Sequence, residues 1–253
     1  MIDLIPAGAD SPLSFERVVE VLEKGTFDVE HGAIRWSSNY TFLVSMKHED
    51  VSVMAVYKPQ RGERPLWDFP DGTLCFRERA AFLTAQALGW DLVPPTVLRH
   101  DAPSGLGSLQ FFVEHDPNYH YFHFDATLEP QVKRLAVFDA LVNNADRKGG
   151  HCLVDSRNHL WGIDHGITFH AANKLRTVIW NYADQPVADD LLCDVETLCS
   201  KLDDASGALR QEFGTLLHEA EILSFNRRIR RILKTRKYPS PGSNGPNYPW
   251  PPV

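Results

Sequence analysis

FDALVNNADRKGGHCLVDSRNHLWGIDHG, residues 138–166, is the stretch on which the reading of this chain turns. Its opening residues finish an apolar segment, 130–144, in which Val132, Leu135, Val137, Phe138, Leu141 and Val142 recur at helical spacing. An Asp-Arg pair (Asp146, Arg147) follows at once, and then a double glycine. Two short apolar runs, 152–154 and 160–163, flank the polar turn at 155–158 and predict a β-hairpin. Asp164 closes the second run, with Gly166 two residues later. The two aspartates therefore lie at the two ends of one hairpin and can converge on one site. Four polar residues within 143–147 exceed what a turn requires, and Asp164 follows an apolar strand, so both aspartates are read as functional.

Upstream the chain is β-rich. A helix is expected to begin at Ser11-Pro12, with Phe15, Val18, Val19 and Leu22 on one face and Gly25 at its end. Strands are expected at residues 32–36, 40–46 and 51–58, separated by polar turns. Residues 59–73 read as an exposed Pro/Gly/Asp loop, and 74–88 as a helix capped by Gly89. Two more strands, 93–98 and 108–113, precede residues 114–118, where β character stops. Downstream of the hairpin, helices are expected over 189–202 and, unbroken, over 205–233. The segment 239–253 holds six prolines and two glycines and reads as extended or disordered. The divisions expected are an N-terminal lobe at 1–115, a C-terminal lobe at 116–238 and a Pro-rich tail at 239–253.

Paired acids at Gly-rich turns suit metal-assisted phosphoryl transfer, in which one carboxylate takes or orients the proton of the attacking group and the other holds a divalent metal. Such chemistry is mostly positioning and charge neutralisation, so it also needs a cation for the phosphates. Lys58, at the end of Val53-Met54-Ala55-Val56-Tyr57, is placed for that role, and Glu78 in the next helix is the carboxylate available to hold it. Lys58, Glu78, a lobe boundary, Asp146 and Asp164 then stand in the order of a kinase.

Three segments, Val56-Tyr57-Lys58-Pro59, Asn144-Ala145-Asp146-Arg147 and Ile163-Asp164-His165-Gly166, resemble the V-[FY]-K-P, N-x-D-R and I-D-[NH]-G patterns of the phosphatidylinositol 3-/4-kinase superfamily. The chain is similar in particular to the type II phosphatidylinositol 4-kinases and the HipA-type bacterial kinases. The resemblance implies an α+β, two-lobed protein-kinase-like fold, with a β-rich N-lobe and a mainly helical C-lobe around an ATP cleft. It implies that Lys58 binds the ATP phosphates, Asp146 is the catalytic acid/base and Asp164 binds the metal. Ser37, Ser38 and Asn39 would form the turn covering the phosphates, and Glu114, His115 and Asp116 the hinge beside adenine. One position departs from the pattern: His151 stands five residues after Asp146, where the family has a metal-ligating Asn. A neutral imidazole ligates divalent ions but favours Mn²⁺ over Mg²⁺.

Other classes are disfavoured. No G-x-x-x-x-G-K-[ST], no strand-linked G-x-G-x-x-G and no HExxH is present, which argues against P-loop, dinucleotide-binding and zincin chemistry. A net charge of -7 argues against wholesale nucleic-acid binding. The four cysteines form no CxxC pair, and neither a signal sequence nor a bilayer-length apolar stretch is visible, so a cytoplasmic setting is expected. The run 227–237 carries seven basic residues and reads best as a terminal helix docked by Ile229, Ile232 and Leu233 with its arginines in water. The function expected is ATP- and Mg²⁺- or Mn²⁺-dependent transfer to a protein, or to the chain itself, in preference to a phosphoinositide. The alternatives are a catalytically weak nucleotide-binding pseudokinase and a metal-dependent hydrolase using the histidines.

Overall fold

The computed structural model describes residues 2–8, 11–33, 40–243 and 245–253. Its N-terminal half is built on a five-stranded antiparallel sheet of order β1-β2-β3-β5-β4. The strands are β1 (Thr26–Ala33), β2 (Phe42–His48), β3 (Val51–Pro59), β4 (Thr96–Arg99) and β5 (Gly107–Phe111). Along β3 burial alternates as the pleat requires: Val53, Ala55 and Tyr57 enter the core, while Ser52, Met54, Val56 and Lys58 take the other face. The pleat thus aims Lys58 away from the core that Val53, Ala55 and Tyr57 enter. Helix α1 (Phe15–Lys24) closes the core side with Phe15, Val18, Val21 and Leu22.

Helix α2 (Leu74–Leu88) joins the sheet to the rest of the molecule. Ten of its fifteen residues are buried, because it packs on β4 and β5 and also on two helices of the second lobe. That lobe contains α3 (Glu129–Val142), the hairpin β6 (Cys152–Val154)–β7 (Leu160–Gly162), α4 (Asp189–Asp203), α5 (Ala208–Leu216) and α6 (Glu219–Thr235). The helices that receive α2 are α4 and α5. The first N–H groups of α2 donate to Glu63, from Leu74 at 3.0 Å and Cys75 at 2.8 Å, which replaces an N-cap side chain. Gly89 takes φ +70 at its end, a left-handed conformation that suits glycine. Phe169, Phe213 and Phe225 pack ring against ring at the centre of the helical lobe.

Several boundaries differ from expectation. Leu13 is paired with Leu4 through two backbone hydrogen bonds, so the first helix starts later and Ser14, not Ser11, caps it by accepting from the Arg17 amide. The first strand begins at Thr26, where alternating apolar residues pair with β2. The helix expected over 205–233 breaks at Leu217-His218: the His218 side chain accepts from the Ala220 amide, and Glu221 answers by accepting from the His218 amide. Apolar residues recur on both sides of this break, so periodicity alone hides it. Arg228 is largely buried, donating to the carbonyls of Leu141 and His170, whereas Arg230 pairs with Asp203 at the surface. The basic run is a docked helix, but one arginine is structural. The Pro-rich tail is not free, as its contacts with residues 149–180 show.

Candidate active site

Every element around residues 138–166 serves to fix one loop. Helix α3 ends at Asn143, which takes φ +56 and donates to the carbonyls of His170 and Ala172 while accepting from the Lys174 amide. Asn144 accepts from the Asp146 amide at 2.9 Å and donates to Asp139 at 3.0 Å. Arg147 is fully buried. Its guanidinium grips Asp139 in a bidentate pair at 2.9 and 3.0 Å and also donates to the carbonyls of His151 and Ile163. A further Arg147 N–H lies 2.7 Å from His165 Nε2, which must therefore be the acceptor. The polar cluster at 143–147 thus divides its labour. The side chains of Asn143, Asn144 and Arg147 lock the loop in place, and the Asp146 carboxyl takes no part in that lock.

Asp164 sits at φ +58, a left-handed conformation uncommon for a non-glycine residue and concentrated at functional sites. Its Oδ1 accepts from Lys58 Nζ at 2.5 Å, and the same ammonium donates to Glu78 Oε1 at 2.6 Å. Glu78 Oε2 in turn accepts from the His165 amide at 3.0 Å. One lysine from the sheet, one glutamate from α2 and one aspartate after the hairpin therefore meet. Burial alone would depress the Lys58 pKa, but the charges of Asp164 and Glu78 outweigh it and keep the amine protonated. Burial would likewise raise that of Asp164, yet Lys58 and then His151 hold its carboxyl below the usual range.

The Asp146 carboxyl lies 3.5 Å from Lys148 Nζ. Burial raises its pKa to about 6, with Lys148 opposing and Asp164 adding to the shift. His151 Nδ1 is 2.9 Å from the Asp146 carbonyl and its Nε2 is 3.1 Å from Asp164 Oδ2. Burial lowers the His151 pKa to about 4, so the ring is neutral near pH 7. A neutral ring that donates from Nδ1 to a carbonyl turns a bare Nε2 lone pair toward a carboxylate oxygen. Two acceptors so close call for a cation between or beside them, and a backbone carbonyl on the other ring nitrogen is the usual support for a metal-ligating histidine. The imidazole nitrogen and the carboxylate are a donor pair whose chemistry fits a divalent ion. No group of three or more His, Cys, Asp or Glu side chains able to hold a metal occurs among the described residues.

The remaining expected residues fall differently. Residues 114–116 form the link out of β5, but the Glu114 and Asp116 side chains face solvent, and Asp116 caps a turn by accepting from the Asn118 amide. His115 turns its Nδ1 to the Val113 carbonyl. Ser37, Ser38 and Asn39 lie outside the described residues. His159 is half-buried, because its ring packs on Trp161 and contacts the Asp91 carbonyl. Sequence reasoning does not single out Asp139 and Asn144 as site residues. The signal for Asp139 is an acid on the inward face of an apolar helix, eight residues before a buried arginine.

Glu78 is buried within α2, 4% exposed. Arg77 is 1% exposed and donates to the Thr168 carbonyl and to Glu221 of α6, both at 2.7 Å. Arg79 pairs with Glu212 of α5 at 2.9 Å. The two arginines beside Glu78 therefore clamp α2 to the helical lobe in the position that brings Glu78 to Lys58.

A profile of the family Phosphatidylinositol 3- and 4-kinase matches residues 86–192. Protein Rv2133c of Mycobacterium tuberculosis (strain ATCC 25618 / H37Rv) is 39% identical over 255 residues, covering 87% of this chain and 90% of that protein. The chain belongs to the phosphatidylinositol 3-/4-kinase-like superfamily. Solved structures similar to this kinase-like chain include hydra Fam20 with sugar, with a TM-score of 0.52 at 13% identity over 93% of this chain and 91% of that one. Another is the Helicobacter pylori proinflammatory kinase CtkA, with a TM-score of 0.50 at 13% identity over 85% and 93%. Both likenesses concern the fold, a β-sheet lobe joined to a helical lobe, as the sequence leads one to expect. No helix among the described residues is long and apolar enough to cross a membrane.

Proposed function

We propose that this member of the superfamily is an ATP- and divalent-metal-dependent kinase acting on a protein or on itself. The observation that carries the reading is the meeting of Lys58 with both Glu78 and Asp164 at 2.5–2.6 Å, beside a neutral His151 whose free nitrogen faces Asp164. Lys58, fixed by Glu78, neutralises ATP phosphate charge. Asp164 and His151 would hold Mg²⁺ or Mn²⁺, which would supply neutralisation of phosphate charge. Asp146 orients the acceptor hydroxyl and takes its proton as the oxygen bonds to the γ-phosphorus and the bond to the ADP oxygen breaks. Lys148, beside Asp146, meets the negative charge of the transferring group. Residues 1–115 would supply the nucleotide lobe, with the 114–116 link offering backbone to adenine, and 116–238 the catalytic lobe.

A ligand that binds only the folded state raises apparent stability. Thermal unfolding with ATP plus Mg²⁺ or Mn²⁺ should therefore shift upward for the wild type and much less for Asp164→Asn. Absence of any nucleotide shift with either metal would defeat the proposal. A full shift without phosphate transfer would favour the nucleotide-binding module over the enzyme.

A further inference from the structure

The tail 239–253 reads from its composition as extended or disordered, and residues 247–253 run extended against the loop that carries Asp146. The Asn247 carbonyl accepts from the Thr177 amide and from the Trp180 indole N–H, each at 3.0 Å. Five residues on, the Pro252 carbonyl accepts from the Gly149 amide at 2.7 Å. Gly149 is three residues beyond Asp146, and the Thr177 strip is itself stitched to Arg147: the Arg147 amide donates to the Arg176 carbonyl and the Val178 amide to the Arg147 carbonyl. The two backbone donors that hold the tail thus lie on two neighbouring strips of chain, one of which carries Asp146. Between the anchors Pro249 is buried, while Tyr248 and Trp250 face solvent. A Cβ at Gly149 would stand 3.0 Å from the Phe122 ring and 3.5 Å, an ordinary contact, from the Pro252 carbonyl.

The chemistry of this surface is one-sided. At both anchors it offers donors, two backbone amides and one indole, and the tail answers with carbonyls. A proline-containing extended chain suits such a surface, because it keeps its carbonyls exposed while lacking N–H groups that would need acceptors. Recognition through backbone reads extended polypeptide in general, with a buried side chain such as Pro249 adding selectivity. From these contacts we infer that Gly149, Thr177 and Trp180 form the docking surface for an extended, proline-containing polypeptide phosphoacceptor, and that residues 247–253 occupy it as an intramolecular competitor. The inference rests on the kinase reading above and deepens it by naming the acceptor class.

A short tether gives a competitor an effective concentration in the mM range, so releasing a tail that binds its site with a Kd of ~0.1 mM should raise acceptor phosphorylation roughly tenfold. The test uses the full chain with a protease recognition sequence inserted between Ser240 and Pro241, cleaved after folding and washed free of the released peptide. Transfer from ATP to casein and to phosphatidylinositol vesicles is compared for intact and cleaved protein, alongside nucleotide-dependent stabilisation of each. The expected result is equal nucleotide stabilisation, a roughly tenfold lower KM for casein after cleavage, and reversal by synthetic peptide 245–253 added back. Pro249→Gly in the uncleaved chain, which weakens the tail and leaves the docking surface intact, should move the casein KM in the same direction by a smaller factor. An unchanged or higher casein KM after cleavage, with nucleotide stabilisation intact, would overturn the inference while leaving the kinase reading standing. Release that favours the vesicles over casein would overturn it also. Loss of nucleotide stabilisation from the intact chain would instead bring down the kinase reading, and this inference with it.

Discussion

Replacing Asp146 by Asn should remove phosphate transfer and, at the same time, make the protein more stable. The carboxyl is largely buried, 3.5 Å from a single lysine, and its pKa is raised from 3.8 to about 6. A carboxyl whose folded pKa lies above its unfolded value binds its proton more tightly in the folded state. Its ionisation therefore costs stability, a cost that begins near the unfolded pKa, grows as pH rises through the folded one and is constant above it. At 1.36 kcal/mol per unit the full cost is about 3 kcal/mol at pH 8, falling to roughly half that at pH 5. An amide side chain at this position would carry no charge, and the backbone bonds that residue 146 makes to Asn144 and His151 would remain. Urea unfolding at both pH values should accordingly show a gain for Asp146→Asn of up to about 3 kcal/mol at pH 8 and about 1.4 kcal/mol less at pH 5. A variant less stable than wild type at pH 8, or a gain independent of pH, would refute the idea that the site holds this carboxylate against its own preference.

Arg77→Met leaves Glu221 and the Thr168 carbonyl buried without their donor, and should cost about 3–5 kcal/mol in urea unfolding, much of it recovered by Arg77→Met/Glu221→Met. If instead the double variant is as unstable as the sum of the single ones, the clamp on α2 is not an ion-pair effect. His151→Asn should raise the ratio of Mg²⁺- to Mn²⁺-supported transfer, measured by steady-state rates, because an amide oxygen is a harder ligand than an imidazole; an unchanged ratio would remove His151 from the metal site. The pH profile of kcat/KM reports groups of the free enzyme, so it should rise with pH through about 6 as Asp146 loses its proton. A profile flat from pH 5 to 7 would separate Asp146 from proton transfer.

How far the fold and site are legible in the sequence depends on whether local pattern or long-range contact decides the outcome. Helix α2 and the hairpin β6–β7 lie where periodicity and turn residues put them, because their burial and caps are written within a few residues. The meeting of Lys58, Glu78 and Asp164 is legible through order and motif, although its members are as far as 106 residues apart. What escapes is the framework beneath it. Asp139 looks like an ordinary helix acid until Arg147 folds back on it, and Arg77 looks solvated until α6 supplies Glu221. The break at His218 escapes because a histidine cap carries little signal beside continuous apolar spacing. The tail escapes because its order comes from donors on a distant loop rather than from its own composition.

The decisive measurement incubates the full chain and Asp146→Asn with [γ-³²P]ATP, Mg²⁺ or Mn²⁺ and casein. Metal-dependent label should enter casein or the chain itself for the wild type, and be lost in Asp146→Asn while ATP still stabilises the variant. Equal labelling by both proteins, or no labelling by a wild type that binds ATP and metal, would contradict the assignment of Asp146 as the base of a working kinase.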